Sequence, residues 1–220
     1  SLKIDDHTKI IDLSQDHRMM DGTNGFLYGL PELNRSKIAV ANRIANPGCF
    51  ATAIELGLLP LAHCKKLPMD IQITAITGST GAGVGLQDSI QFSKRCSNLS
   101  VYKPFAHQHL AEINEVIATL HPEWIGDVHL IPIRGPFTRG IFVSINFASS
   151  IDENILQELY EEFYASMPFT HVTSGAMELK GVVSTNHCKV QIKKYGKQVH
   201  IVSMIDNLLK GAAGQAVQNM

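Results

Sequence analysis

The stretch GDVHLIPIRGPFTRGIFVSINFA, Gly126 to Ala148, reads as two apolar strands around a turn that contains Gly135 and Pro136. Downstream, NHCKVQIKKYGKQVHIVSMID (Asn186–Asp206) repeats the form. Val190 and Ile192 alternate with polar residues, Tyr195-Gly196 turns the chain, and Val199, Ile201 and Met204 lead back. Between these strand pairs SSIDENILQELYEEFYASMP reads as an amphipathic helix capped by Ser150 or Asp152. Upstream, HQHLAEINEVIATLHP carries Leu110, Ile113, Val116, Ile117 and Leu120 as one helical stripe that Pro122 ends. MDIQITAITGSTGAG is a strand that runs into a glycine-rich turn. Strand runs with short turns and separate helices predict an α+β fold, with an antiparallel or mixed sheet covered by helices on one face.

The first 48 residues read differently. TKIIDLSQDHR gives a short strand over Ile10–Leu13, and IAVANRIANPG gives another apolar segment. This is βαβ-like, parallel-sheet material. From Cys49 the run FATAIELGLLPLAHC has helical composition and is expected to stop near Pro60. The tail NLLKGAAGQAVQNM is helical in pattern.

Composition narrows the function. The 220 residues carry a formal charge of −1 and are 45% apolar, with no basic cluster to attract nucleic acid or an anionic membrane. No apolar run approaches the ~20 residues of a membrane span, and SLKIDDHTK lacks the apolar centre of a leader. Cys49, Cys64, Cys96 and Cys188 show no C-x-x-C spacing, so no metal site is expected. Free thiols and a cytoplasmic setting fit this pattern.

Cys49 follows Asn46-Pro47-Gly48 and opens a helical run. A helix N-terminus offers unpaired N–H groups and a positive dipole end, which favour a thiolate and lower its pKa. The same groups can hold an oxyanion. His109 and Glu112, three apart, share the helix face opposite the apolar stripe, where a carboxylate can orient an imidazole base. Thr77–Gly83 offers backbone N–H groups for an anion, without the Lys-Ser/Thr of a P-loop. Arg18 and Arg139 each place a guanidinium near a strand end.

In order, IIDLSQDHR, IANPGCFATAIELGLLP, TGSTGAG, HQHLAEI, IPIRGPFTRG and DNLLKGAAGQAVQNM together resemble the N-acetyl-gamma-glutamyl-phosphate reductase family. That resemblance implies a catalytic domain like that of glyceraldehyde-3-phosphate dehydrogenase, over residues 49–205. It implies a remnant of an NADP-binding Rossmann domain over 1–48, and a C-terminal helix over 206–220 returning to it. It also implies the reaction: Cys49 attacks an acyl phosphate, phosphate leaves, and NADPH reduces the thioester to N-acetyl-glutamate semialdehyde. His109, held by Glu112, is the expected acid–base group, with His107 its competitor. Arg18, Ser79, His107 and Arg139 are expected to bind substrate, and Ser14, Gly81, Asn207, Lys210 and Gly211 the cofactor. A homodimer or homotetramer through the sheet is implied.

The family's opening glycine-rich pyrophosphate turn is not in this sequence. The 220 residues are therefore expected to be a fragment lacking about a hundred residues, inactive alone and unable to bind NADP tightly. Residues alone leave two other readings open: a cofactor-free Cys–His hydrolase or acyltransferase, and a non-catalytic oligomerisation module.

Overall fold

The computed structural model describes residues 8–19, 25–83, 85, 88 and 91–220. Ile10–Asp12 (β1), Leu27–Tyr28 (β2) and Arg43–Ala45 (β3) form a parallel three-stranded sheet in the order β1-β3-β2. Residues 1–7 and 20–24 of the expected Rossmann remnant lie outside the described residues. Between β2 and β3 the chain forms a helix, Pro31–Ile38 (α1), which the βαβ-like reading implied without locating. Its signal is Pro31 in the first helical turn, where a missing N–H costs nothing.

The next helix, Cys49–His63 (α2), is buried at every position from Phe50 to Ala62. A helix apolar on all sides belongs in a core, and α2 lies against the inner face of the large sheet. It passes through Pro60 rather than stopping there. Proline has no N–H to give the carbonyl four residues back. That carbonyl, on Leu56, instead accepts the Tyr164 hydroxyl at 2.5 Å, while Tyr160 donates to the Gly57 carbonyl at 2.6 Å.

The remaining elements are Asp70–Thr77 (β4), Phe92–Arg95 (α3), Ser100–Val101 (β5), His109–Leu120 (α4), Asp127–Arg134 (β6), Ile141–Ala148 (β7), Glu153–Tyr164 (α5), Thr170–Val172 (β8), Cys188–Tyr195 (β9), Gln198–Ile205 (β10) and Gly214–Asn219 (α6). Asp152 caps α5 through the Asn154 N–H. A wide helical turn, Leu209–Ala213, leads into α6.

Seven strands form one mixed sheet, β5-β6-β4-β7-β10-β9-β8. The β9–β10 hairpin is as expected, pairing Tyr195 with Gln198. The strands of Gly126–Ala148 exist as read, but they are not partners. β4 inserts between them, parallel to β6 and antiparallel to β7. The 135–140 segment must therefore cross the end of β4, where Gly78 donates to the Gly140 carbonyl and Ser79 to that of Phe137, both at 2.9 Å. Ile71 and Ile73 of β4, Val143 and Ile145 of β7, and Val199 and Ile201 of β10 fill the core under the helices. The opposite face carries Gln72, Thr74, Ser144, Asn146 and His200. This α+β arrangement, helices on one face of a mixed sheet, is the expected fold class.

Candidate active site

A cavity of about 670 Å³ opens at the N-terminus of α2, lined by Arg18, Cys49, Thr80, Tyr102, His107, His109, Arg134 and Asn207 among others. Six separate segments supply these side chains, and the turn before Cys49 decides how they meet. A Cβ on Gly48 would lie 2.4 Å from Nε2 of His109 and 2.6 Å from its Cε1. Only a residue without a side chain lets the imidazole rest against the backbone that presents the thiol. On the other side, a Cβ on Gly211 would meet the Cys49 Cβ at 2.8 Å. The thiol is thus approached closely by the C-terminal segment as well.

Glu112 ties the parts together. Its Oε2 accepts the Gly48 N–H at 2.8 Å and the Tyr28 hydroxyl at 3.2 Å. Its Oε1 accepts Nη1 of Arg18 at 3.2 Å. Burial pushes the Glu112 carboxyl above its ordinary range, and Arg18, the Gly48 N–H and Tyr28 pull it back. The face carrying His109 and Glu112 is buried, not solvated. Glu112 stands 3.8 Å from Nε2 of His109, beyond hydrogen-bond reach. Arg18 Nη1 bridges the two instead, at 3.5 Å from that nitrogen. Direct orientation of His109 by Glu112, expected from their spacing, is therefore replaced by a relay through the guanidinium.

The electrostatics differ from the sequence expectation for the thiol. Burial pushes Cys49 up to about 11, although the Phe50 and Cys49 N–H groups and Arg18 all act to lower it. Desolvation outweighs the helix terminus, so the resting group is a thiol. Burial and neighbouring positive charge lower His109 to about 3, and burial together with Lys103 lowers His107 to about 4. Both imidazoles rest neutral. Nδ1 of His107 accepts the His109 N–H at 3.2 Å, which leaves the proton on its Nε2.

Several expected ligands stand elsewhere. In the 77–83 loop the N–H groups of Gly78, Ser79 and Thr80 are spent on carbonyls of 137–140, so they cannot cradle an anion. Ser79 is not in the cavity wall; Thr80 and Gly81 are. Arg139 is outside the lining and pairs with Asp206 at 3.1 Å. Arg134, stacked 4.9 Å over Tyr102, is the arginine on that side of the cavity. Ser14 closes a turn with Asp12 and is also outside the lining. Lys210 is wholly buried, with Nζ 2.7 Å from Glu32 and 2.8 Å from Gln218, and does not reach the cavity. Its long stem runs inward from the 209–213 turn to neutralise Glu32. Asn207 faces the cavity, but its amide is committed: Oδ1 accepts the Gly140 N–H at 2.7 Å and Nδ2 donates to Thr80 at 3.0 Å.

Sequence reasoning also missed Tyr28, Glu55, Tyr102 and Arg134. Glu55 left a signal, being the only charged residue between Cys49 and Ala62 in an apolar run.

Residues 49–207 match the family model of the semialdehyde dehydrogenase dimerisation domain. A protein of Parabacteroides distasonis named N-acetyl-gamma-glutamyl-phosphate reductase is 50% identical over 217 residues, covering 99% of this chain and 67% of that protein. The chain belongs to the N-acetyl-gamma-glutamyl-phosphate reductase family. A reductase of the same name from Bacteroides fragilis is 47% identical, over 100% of this chain and 68% of its own length. The fold is also that of aspartate semialdehyde dehydrogenase II from Vibrio cholerae, with a TM-score of 0.73 at 18% identity, over 95% of this chain and 70% of the other. The family consists of oxidoreductases, and this reductase chain spans about two thirds of the relatives it matches. Among its described residues no helix is long and apolar enough to cross a membrane, no group of three or more metal-ligating side chains converges, and the cysteines are free.

Proposed function

We propose that Cys49 is the nucleophile of an NADPH-dependent reductive dephosphorylation, in which N-acetyl-gamma-glutamyl phosphate becomes N-acetyl-glutamate 5-semialdehyde in the cytoplasm. The observation that carries this reading is the convergence of Cys49, His109 and Arg18 at the N-terminus of α2. Sγ adds to the acyl carbon to give a tetrahedral oxyanion, which collapses to the thioester as the bond to phosphate breaks. His109, neutral at rest, takes the thiol proton and passes it to the departing phosphate. An incoming anion beside the imidazole favours its protonated form and offsets the low resting basicity. The Cys49 and Phe50 N–H groups of the first turn, which face Sγ, would hold the tetrahedral oxyanion as it develops. Arg18 and Arg134 supply cations for the phosphate and carboxylate ends.

The cofactor's reactive end would approach from the Gly211 side of the cavity. Gly211 brings backbone against Cys49 with no side chain between them. The pyrophosphate end has no glycine-rich strand-to-helix turn among the described residues. NADPH, when bound, supplies the hydride that reduces the acyl carbon. The released thiolate then recovers a proton from water by way of His109. The 220 residues taken alone carry the acylation half of the reaction, with little affinity for NADP.

The three parallel strands are proposed as Rossmann-type structure, 49–205 as the catalytic unit and 206–220 as the return segment. The polar sheet face of β4, β7 and β10 is proposed as the contact between copies. The test is mass spectrometry after mixing the chain with N-acetyl-gamma-glutamyl phosphate in the absence of nucleotide. An acyl adduct mapped to Cys49, absent in Cys49→Ser, is expected. Phosphate release with no adduct, undiminished in Cys49→Ser, would overturn the reading.

A further inference from the structure

Behind Glu112, away from the cavity, lies a buried group that the reaction scheme leaves unused. Glu55 sits on α2 beneath the nucleophile and is 2% exposed. Both of its oxygens approach the Tyr28 hydroxyl, at 2.8 and 3.1 Å, and among the described residues this is its hydrogen-bond partner. The same hydroxyl lies 3.2 Å from Oε2 of Glu112. A phenol has one proton to give and two carboxyl groups compete for it. Glu112 has Arg18 and the Gly48 N–H besides. Among the described residues no cation pairs with Glu55, Arg18 acting on it only at a distance, and a buried carboxylate facing one hydroxyl is far too costly to keep ionised.

We propose that Glu55 is held as the neutral acid and that Tyr28 and Glu55 act as positioning residues, through a one-way hydrogen-bond chain in which Glu55 donates to the Tyr28 oxygen and Tyr28 donates to Glu112. The direction of the chain matters for charge. With Glu55 neutral, the buried cluster of Tyr28, Glu55, Glu112, Arg18 and His109 carries one negative and one positive charge. The thiolate or oxyanion at Cys49 then meets a balanced surrounding. With Glu55 ionised, Tyr28 would turn toward it, Glu112 would lose a donor, and two negative charges would face one guanidinium behind the forming anion. Burial, followed by the nearby charge of Glu112, pushes the Glu55 carboxyl well above its ordinary range, in keeping with this placement.

The inference rests on the reading of Cys49 as nucleophile only for its functional consequence, and two measurements separate the two. The first is infrared difference spectroscopy of the 220-residue chain at neutral pH, comparing wild type with Glu55→Gln. A protonated-carboxyl C=O band that vanishes in the variant is expected; its absence from the wild type overturns the proposal. The second is the rate of iodoacetamide alkylation of Cys49 at pH 9 in a Cys64→Ser/Cys96→Ser background. Tyr28→Phe removes a hydrogen bond to a charged group and should slow alkylation by about tenfold. Glu55→Gln, whose amide can donate in place of the acid, should stay within about twofold, the rest of the hydrogen-bond chain being unchanged. A melting temperature that falls in Tyr28→Phe with no change in rate would show packing alone and overturn the positioning role. If folded wild-type Cys49 fails to react at all, the proposed function falls, while the infrared result still decides where the proton lies.

Discussion

The Gly48 N–H donates to Oε2 of Glu112 at 2.8 Å across 64 residues of sequence. The peptide unit that presents the nucleophile is thereby fastened to the helix that carries the imidazole. Glu112→Leu removes the acceptor for Gly48 and strands Arg18 in a buried setting. Breaking a buried pair in this way costs about 3–5 kcal/mol. Urea unfolding should show a loss of that order, with Glu112→Gln closer to wild type because its carbonyl can still accept from Gly48.

Gly48→Ala places a methyl group 2.4 Å from the His109 ring. The ring must move, since the α2 backbone beneath it is packed on all sides. Acyl-adduct formation on Cys49 should drop by about 100-fold or more, in line with misplacement of a reacting group. Circular dichroism should show the fold retained. An adduct rate within a few-fold of wild type would mean that the imidazole takes no part.

The thiol held near 11 by burial makes a prediction opposite to that of a depressed nucleophile. Thiolate, the reactive form, should increase about tenfold per pH unit across pH 7–10. Alkylation of Cys49 should rise with it and stay slower at pH 8 than that of exposed Cys64 and Cys96. A plateau below pH 8 in a mass-spectrometric rate profile would contradict this.

The two histidines give stability a pH dependence. Their folded values, about 3 for His109 and about 4 for His107, lie below the unfolded value near 6.5. Between these limits the unfolded chain binds more protons, so stability rises with pH. The contribution is complete above about pH 6.5 and is lost as pH falls toward 4 and 3. Each histidine adds a slope of up to about 1.4 kcal/mol per pH unit. Denaturant melts from pH 4 to 6.5 should show a shallower slope in His109→Gln.

Lys210→Met leaves Glu32 buried without its cation, 0% of the lysine side chain being exposed. A loss of about 3–5 kcal/mol is expected, and the double change Lys210→Met/Glu32→Leu should recover much of it. Binding assays in the double variant test the separate claim that Lys210 touches no ligand.

The sequence was most legible where local pattern and tertiary role coincide. The β9–β10 hairpin and the helix ended by Pro122 are local matters, settled by alternation and by proline. Cys49 and His109 stood out through the ordered motifs of the family resemblance rather than through spacing alone, and the fold brings both to one cavity. Insertion of β4 between β6 and β7 was not legible, because a short connection looks the same whether its strands pair or straddle a third. Ser79, Arg139 and Lys210 were given ligand roles by the family resemblance, which says nothing of their internal partners. In the fold Arg139 and Lys210 meet internal charges and the Ser79 backbone is bonded to a neighbouring loop, partners that no local pattern announces. Glu55 was overlooked because a buried acid has meaning only beside Tyr28, 27 residues earlier.

The Tyr164 hydroxyl on the Leu56 carbonyl imposes an order on how this helix can change over generations. While Pro60 is present, losing the tyrosine hydroxyl leaves a carbonyl with no donor in a dry interior. Once Pro60 has become alanine, the helix supplies its own N–H and the hydroxyl is dispensable. Replacement of the proline first opens a near-neutral path to phenylalanine at 164, and the reverse order passes through a destabilised intermediate. Two positions on different helices are therefore bound to one history, although neither touches the cavity.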